Sequence, residues 1–468
     1  MVLLPELLLL ALALLVLALD LILPERLRAG LGWLTAAGAA AALAASLLGA
    51  GGASAATVRN DALAFYFRAL FLFAAALTAL ISTGSRGVAR RGEYYALLLI
   101  ATIGLCLMAS AADLVLLALA IETATIPLYI LAGSLKRDSR SVEAGLKYFL
   151  FGATASAAMW YGFSLLYGFT GETDLAAAAA ALGGAGLPAV LTAGLPILVG
   201  LAFKVSAVPF HFWAPDVYEG APIPVGAFLS TAVKAAGFAV LLRLLLAVFP
   251  PVSAAYWGAL VSVMAAVTMT LGNLLAMAQK NFKRLLAYSS IAHAGYALIG
   301  LAAFTPAGLA AASFYLLAYL LANLAAFAVA AIAAGAAGSD DLTALAGLSR
   351  CSPAAAWALL AALLSLAGLP PFAGFAAKFF LFASAVEGRL VWLAAVGAAN
   401  SILALFYYLG VLKAVFLFRA EGGEPPLRLP AGSAVVLALS AAGLLWMGIA
   451  AEPWFEAALR AVRPLFPG

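Results

Sequence analysis

Apolar runs of about twenty residues follow one another along nearly the whole chain, and no stretch between them is long enough to hold a soluble domain. A helix rising about 1.5 Å per residue crosses the hydrocarbon of a bilayer in roughly twenty residues. Only 10% of the residues are charged and 66% are hydrophobic, against about 25% charged in soluble domains. The chain therefore reads as an all-α polytopic membrane protein. The runs fall near 2–23, 29–49, 63–83, 94–111, 113–134, 142–168, 188–210, 223–248, 253–277, 285–304, 308–334, 354–385, 388–418 and 431–450. They predict about fourteen transmembrane helices, with a short amphipathic tail from Glu452 to Pro467. The first run lacks a basic leading region and is followed by Arg26 and Arg28, so it is expected to be a retained helix rather than a signal peptide.

Loop charge tests this count. Arg26/Arg28, Arg86/Arg90/Arg91, Lys136/Arg137/Arg140, Lys280/Lys283/Arg284, Arg350 and Arg419/Arg428 fall on one side, leaving little more than Arg59, Arg389, Arg460 and Arg463 on the other. Under the positive-inside rule the first side is cytoplasmic and both termini face outward. The net charge of +5 is then a topology signal, with no basic stripe for nucleic acid. Cys106 and Cys351 support neither a disulfide framework nor a metal site, and no His/Cys cluster, phosphate loop or haem motif occurs. No cofactor is expected on this chain.

Two runs are expected to be broken. The seventh carries Pro196 and Pro209, and the twelfth carries GLPPFAGF from Gly368 to Phe375. Proline leaves the carbonyl four residues earlier without its donor. Pro209 so frees Val205, and Pro370 and Pro371 free Leu366 and Ala367. Exposed backbone at membrane depth survives only when buried in protein or lining a wet cavity. Helices four to eight and nine to thirteen form two blocks of five, with the break fourth in each and a lysine after it. Five being odd, the second block is expected to be inverted relative to the first. The expected division is 1–93, 94–250, 251–420 and 421–468.

Ionisable residues inside such runs are costly and mark sites that move charge. Glu122, Lys204, Lys234, His293 and Lys378 lie at or near mid-span of the fifth, seventh, eighth, tenth and twelfth helices. Glu122 and Lys204 are expected to pair. Ser206, Ser230, Thr231, Ser289, Ser290 and Tyr296 supply hydroxyls that with water could join the series into a proton wire. A buried Glu–Lys pair also serves as a structural clamp, and a core histidine is often merely satisfied. His211 reads as interfacial, Glu143 and Lys147 as a surface pair, Lys280, Lys283 and Arg284 as topology determinants, and Arg243 and Lys413 as snorkelling cations.

The stretches AIETATIPLYILAGSLKRDSRSVEAGLKYF, LAFKVSAVPFHFWAPDVYEGAPIPVGAF, NFKRLLAYSSIAHAGY and LAGLPPFAGFAAKFF resemble the antiporter-like membrane subunits of bacterial NADH:quinone oxidoreductase, respiratory complex I, a family shared with Mrp-type cation/proton antiporters. Within that family the resemblance is to subunit N, and lysine at position 378 argues against subunit M, as the end of the chain soon after the fourteenth helix argues against subunit L. The resemblance implies fourteen helices in two inverted five-helix repeats. It implies proton pumping without redox chemistry of its own, with NADH, FMN, iron–sulfur clusters and quinone on other subunits. It assigns Glu122 and Lys204 to the family's helix-five and helix-seven pair, Lys234 to the central lysine and Lys378 to the exit-side lysine. The expected partners are the homologous membrane-arm subunits, the bilayer and protons. The alternatives are a subunit of an Mrp-type sodium/proton antiporter and a purely structural membrane subunit.

Overall fold

The structure, a computed structural model, describes residues 3–48, 57–85, 87–249, 253–419 and 426–466; Arg86 and the end of the tail lie outside them. In chain order the helices are α1 (Leu4–Ile22), α2 (Leu31–Leu48), α3 (Ala62–Ser82), α4 (Gly92–Ser110), α5 (Leu114–Ala132), α6 (Ser139–Thr170) and α7 (Leu175–Leu182). Then come α8 (Leu187–Val205), α9 (Trp213–Gly220), α10 (Ile223–Phe228), α11 (Lys234–Arg243), α12 (Ala254–Met277), α13 (Phe282–Ala302) and α14 (Pro306–Ala337). The last six are α15 (Leu348–Cys351), α16 (Pro353–Ala367), α17 (Ala373–Glu387), α18 (Val391–Leu417), α19 (Ala431–Ile449) and α20 (Glu452–Val462). A π-turn, Leu229–Val233, joins α10 to α11 within one span, Ile223–Val248.

Among the described residues thirteen helical spans are long and apolar enough to cross a membrane. The remaining crossing is made by α16 and α17, each of 15 residues and separated by Gly368–Phe372, so the expected count of fourteen holds. The seventh crossing departs from its expected form. Pro196 sits inside α8 without ending it, because a membrane helix re-satisfies a freed carbonyl among its neighbours. Only Pro209 breaks the helix, and the second half is α9, within what read as loop. Lys204 thus precedes its break, whereas Lys378 follows its own.

Helix starts follow local chemistry. The side chains of Asp61, Asp113, Asp138, Asp174, Asn281 and Thr305 accept from first-turn amides of α3, α5, α6, α7, α13 and α14, as N-cap residues do. The bundle also repeats itself. α6 and α14 are both 32 residues long and both end on a left-handed glycine, Gly171 and Gly338, each at φ 70°. Asp113, the residue before α5, bridges Asp174, which lies past the end of α6, and Asn281, the residue before α13, bridges Asp341 past the end of α14. Each bridge is closed by two backbone hydrogen bonds of 2.8 Å. Both breaks contain a cis X–Pro bond, Val208–Pro209 and Pro370–Pro371. α13 is the most enclosed of the described spans, followed equally by α14 and Ile223–Val248, and it packs on α12, α14, α9, α17 and α18.

Candidate functional site

α13 is the spine of the site. Ser290, His293 and Tyr296 stand at i, i+3 and i+6, on one face of a helix, over a rise of about 9 Å. At the first rung Lys234 Nζ donates to the Ser290 carbonyl at 2.9 Å, with the Tyr218 ring centroid 5.9 Å away. At the second, His293 is held at both ring nitrogens, Nδ1 to Tyr315 Oη at 2.5 Å and Nε2 to Tyr408 Oη at 3.0 Å. Tyr408 Oη in turn meets Ser289 Oγ at 2.5 Å. At the third, Lys378 Nζ lies 4.4 Å from the centroid of the Tyr296 ring, a cation–π distance. Lys234, His293 and Lys378 are 2%, 3% and 4% exposed.

The breaks supply acceptors for the lysines. Lys378 Nζ donates to the carbonyl of Ala367 at 3.0 Å, one of the two carbonyls that Pro370 and Pro371 were expected to free. Gly368, at φ 87°, lets the chain turn there, and a Cβ on it would stand 2.7 Å from Lys378 Cδ, so the glycine makes room for the lysine stem. On the seventh crossing, α8 ends at Ser206 with φ 58°, and the Trp213 indole of α9 donates to Phe203 O at 3.0 Å. Lys234 follows the π-turn directly, a local widening that recurs at functional positions in helices.

The expected contact between Glu122 and Lys204 is not made. Lys204 Nζ donates to Thr125 Oγ1 at 2.7 Å, one turn along α5 from Glu122. Thr125 in turn donates a hydrogen bond to the Ile121 carbonyl. Glu122 is half-buried and accepts from Ser156 Oγ of α6 at 2.9 Å. Glu122 and Thr125, the residue that holds Lys204, thus stand one turn apart on α5 at one end of the series. Gly237, three residues past Lys234, would place a Cβ 3.3 Å from the Lys204 Cβ, so α8 and α11 meet closely between the two lysines.

Pairing divides the buried charges into two kinds. Arg68 meets Glu6 at 2.9 Å, Arg243 makes two bonds to Asp61 at 2.8 and 2.9 Å, and Lys283 meets Asp340 at 2.8 Å. Arg243, 3% exposed, is therefore a buried ion-pair partner rather than a snorkelling cation. Lys204, Lys234 and Lys378 have no carboxylate within ion-pair distance among the described residues, and bond to a hydroxyl or a carbonyl instead. Ser206 Oγ, His211 Nδ1, Tyr218 Oη, Ser290 Oγ, Tyr319 Oη and Asn323 Oδ1 are buried with no protein hydrogen bond of ordinary geometry, and two of their residues, Tyr218 and Ser290, meet Lys234 directly. His211 is 5% exposed and so not interfacial.

At the basic-loop end, Glu143 and Lys147 do more than pair with each other. Lys147 reaches Asp216 at 2.6 Å, and Arg284 reaches Asp216 at 2.7 Å and Glu219 at 2.8 Å. This cluster ties α6, α9 and α13 together.

Sequence reasoning missed Tyr315, Tyr319 and Tyr408 as members of the site, and Thr125 and Ser156 as partners of its first two charges. One signal was available: Tyr315, Tyr319 and Asn323 recur every four residues along an otherwise apolar α14. Among the described residues no group of three or more His, Cys, Asp or Glu is placed to hold a metal ion.

Residues 111–404 match a family model described as NADH:quinone oxidoreductase/Mrp antiporter, TM. NADH-quinone oxidoreductase subunit N of Moorella thermoacetica is 43% identical, over 98% of each chain. A chain in respiratory complex I from Thermus thermophilus with bound Aureothin superposes with a TM-score of 0.82 at 38% identity, covering 97% of this chain and 98% of that one. A chain of the Mrp complex from Dietzia sp. reaches 0.85 at 24% identity, over 98% of this chain and 97% of its own, and shares the fold.

Proposed function

As the chain belongs to the NADH:quinone oxidoreductase/Mrp antiporter membrane family, we propose that it is the proton-translocating, antiporter-like subunit N of the membrane arm of an NADH:quinone oxidoreductase. Quinone reduction elsewhere in the complex supplies the energy, and this subunit carries no redox step of its own. NADH, FMN, iron–sulfur clusters and quinone belong to its partners, among them the homologous membrane-arm subunits.

One observation carries the proposal. The structural cations of this bundle are closed by carboxylates, whereas Lys204, Lys234 and Lys378 are buried with neutral acceptors only. A buried pair is locked, because removing either partner strands a charge. A lysine bonded to a carbonyl or hydroxyl hands on its proton without breaking an ion pair. In the proposed sequence Glu122 swings between Ser156 and Lys204, driving a proton from Lys204 to Lys234. The proton then passes along the α13 face through His293 to Lys378, which releases it outward. The orphaned polar atoms, those of Tyr218 and Ser290 beside Lys234 among them, are of the kind that ordered water satisfies, which suits a hydrated link between lysines otherwise joined only by close helix packing. Each proton moved against 100 mV costs about 2.3 kcal/mol.

The two five-helix blocks, 94–250 and 251–420, act in this reading as inverted halves meeting at α11 and α13. Both termini face the periplasm of the bacterial inner membrane. The Mrp reading rests on the shared family model and fold, while the relatives at 43% and 38% identity are chains of complex I. NADH-driven pumping in membranes carrying Lys204→Ala or Lys234→Ala, with assembly verified, tests the proposal. Loss of pumping with NADH oxidation retained is expected, and undiminished pumping in both overturns it.

A further inference from the structure

A groove of about 500 Å³ runs between α16 and α19 on the outside of the bundle. Ala354, Trp357 and Ala361 line one wall and Ala434, Ala441 and Leu445 the other. From Ala434 to Leu445 the wall rises about 16 Å, close to half the hydrocarbon thickness of a bilayer. The groove starts at the basic-loop end and stops at mid-bundle, where Phe372 of the break lines its floor. It is closed below by Gly448, whose missing Cβ lets α19 lie directly on the backbone of Pro371 and Phe372.

Each of the two segments at the open end carries an exposed arginine. Leu427 N donates to the Cys351 carbonyl at 2.9 Å, tying the segment before α19 to the segment before α16. Arg350 and Arg428, the sequence neighbours of those two residues, are both exposed. Trp357, 63% exposed, stands on the wall between them and the floor, an amphipathic ring of the kind that settles near headgroups. A transmembrane helix of another subunit needs a groove the full depth of the bilayer. A slot one leaflet deep, apolar along its length and headed by two guanidinium groups, matches one acyl chain under an anionic headgroup.

We propose that this groove is a binding site for an anionic phospholipid whose acyl chain ends against Phe372, in the break that carries Lys378 on its far side. The site is independent of the proton path and stands or falls separately from it.

The test uses the intact complex in phosphatidylcholine nanodiscs doped with a diazirine-bearing phosphatidylglycerol or, in parallel, a phosphatidylcholine with the same labelled chain. After irradiation the peptides covering 353–367 and 431–449 are expected to carry phosphatidylglycerol label about fivefold above phosphatidylcholine label, the worth of roughly one arginine at an anionic headgroup. Arg428→Gln is expected to remove most of that excess, and Ala438→Phe, which fills the groove, to remove label of both kinds. Equal labelling by the two lipids in the wild type overturns the site, showing bulk acyl contact only. Absence of label from both overturns it as well, showing that another subunit covers the face.

Discussion

At the scale of single residues, the same bundle treats its buried cations in two ways, and substitution separates them. Arg243→Gln leaves Asp61 without its partner and should cost about 3–5 kcal/mol, toward the lower end, since Asp61 keeps 19% side-chain exposure. Lys234→Met deletes a buried cation that has no carboxylate to strand, relieving the cost of burying its charge at the loss of one bond to the Ser290 carbonyl. Its thermal midpoint in the purified complex should equal or exceed that of the wild type. A marked drop for Lys234→Met would mean that its bond to Ser290 O is structural. Tyr408→Phe keeps the ring and removes the hydroxyl between His293 and Ser289, so pumping should slow while the melting curve stays in place.

The five ionisable groups could be read from the sequence because a charge inside an apolar run has no bland compositional cause. Their partners could not. Tyrosine in a membrane span reads as packing or interface, and Thr125 and Ser156 look like ordinary helix residues. Which of two nearby groups a lysine touches depends on helix rotation, and that is why Lys204 was assigned to Glu122 and found on Thr125.

At the scale of elements, the two breaks do the positioning. Gly368→Ala puts a Cβ at a left-handed position, costing about 1–2 kcal/mol, and pushes on the stem of Lys378. Its mark should be a fall in pumping larger than the fall in stability explains, measured on the same preparation. The cluster at the basic-loop end holds α9 against α6 and α13. Asp216→Asn removes the carboxylate that both Lys147 and Arg284 meet, so the melting temperature should fall; an unchanged midpoint would assign Asp216 no such role.

Most of the helix positions were legible to within a few residues, because about twenty apolar residues can do little else. The second half of the seventh crossing was not. WAPDVYEG is polar and proline-bearing and reads as loop, yet Trp213 is 1% exposed and stacks on Tyr148 with ring centroids 4.6 Å apart. Only the neighbouring helices make it a helix.

At the scale of the whole molecule, two similar blocks bring a broken helix from each side to the flanks of α13. The lysine precedes the break in one block and follows it in the other, so the duplicated fold carries the polar series from one half into the other. The end near α5 is half-buried at Glu122, and the end on α17 is fully buried at Lys378. The decisive measurement is the number of protons pumped per NADH oxidised by the reconstituted intact complex bearing Lys234→Met. With assembly and quinone reduction intact, that ratio is expected to fall clearly below the wild-type value, and an unchanged ratio would contradict the role assigned to the unpaired lysines.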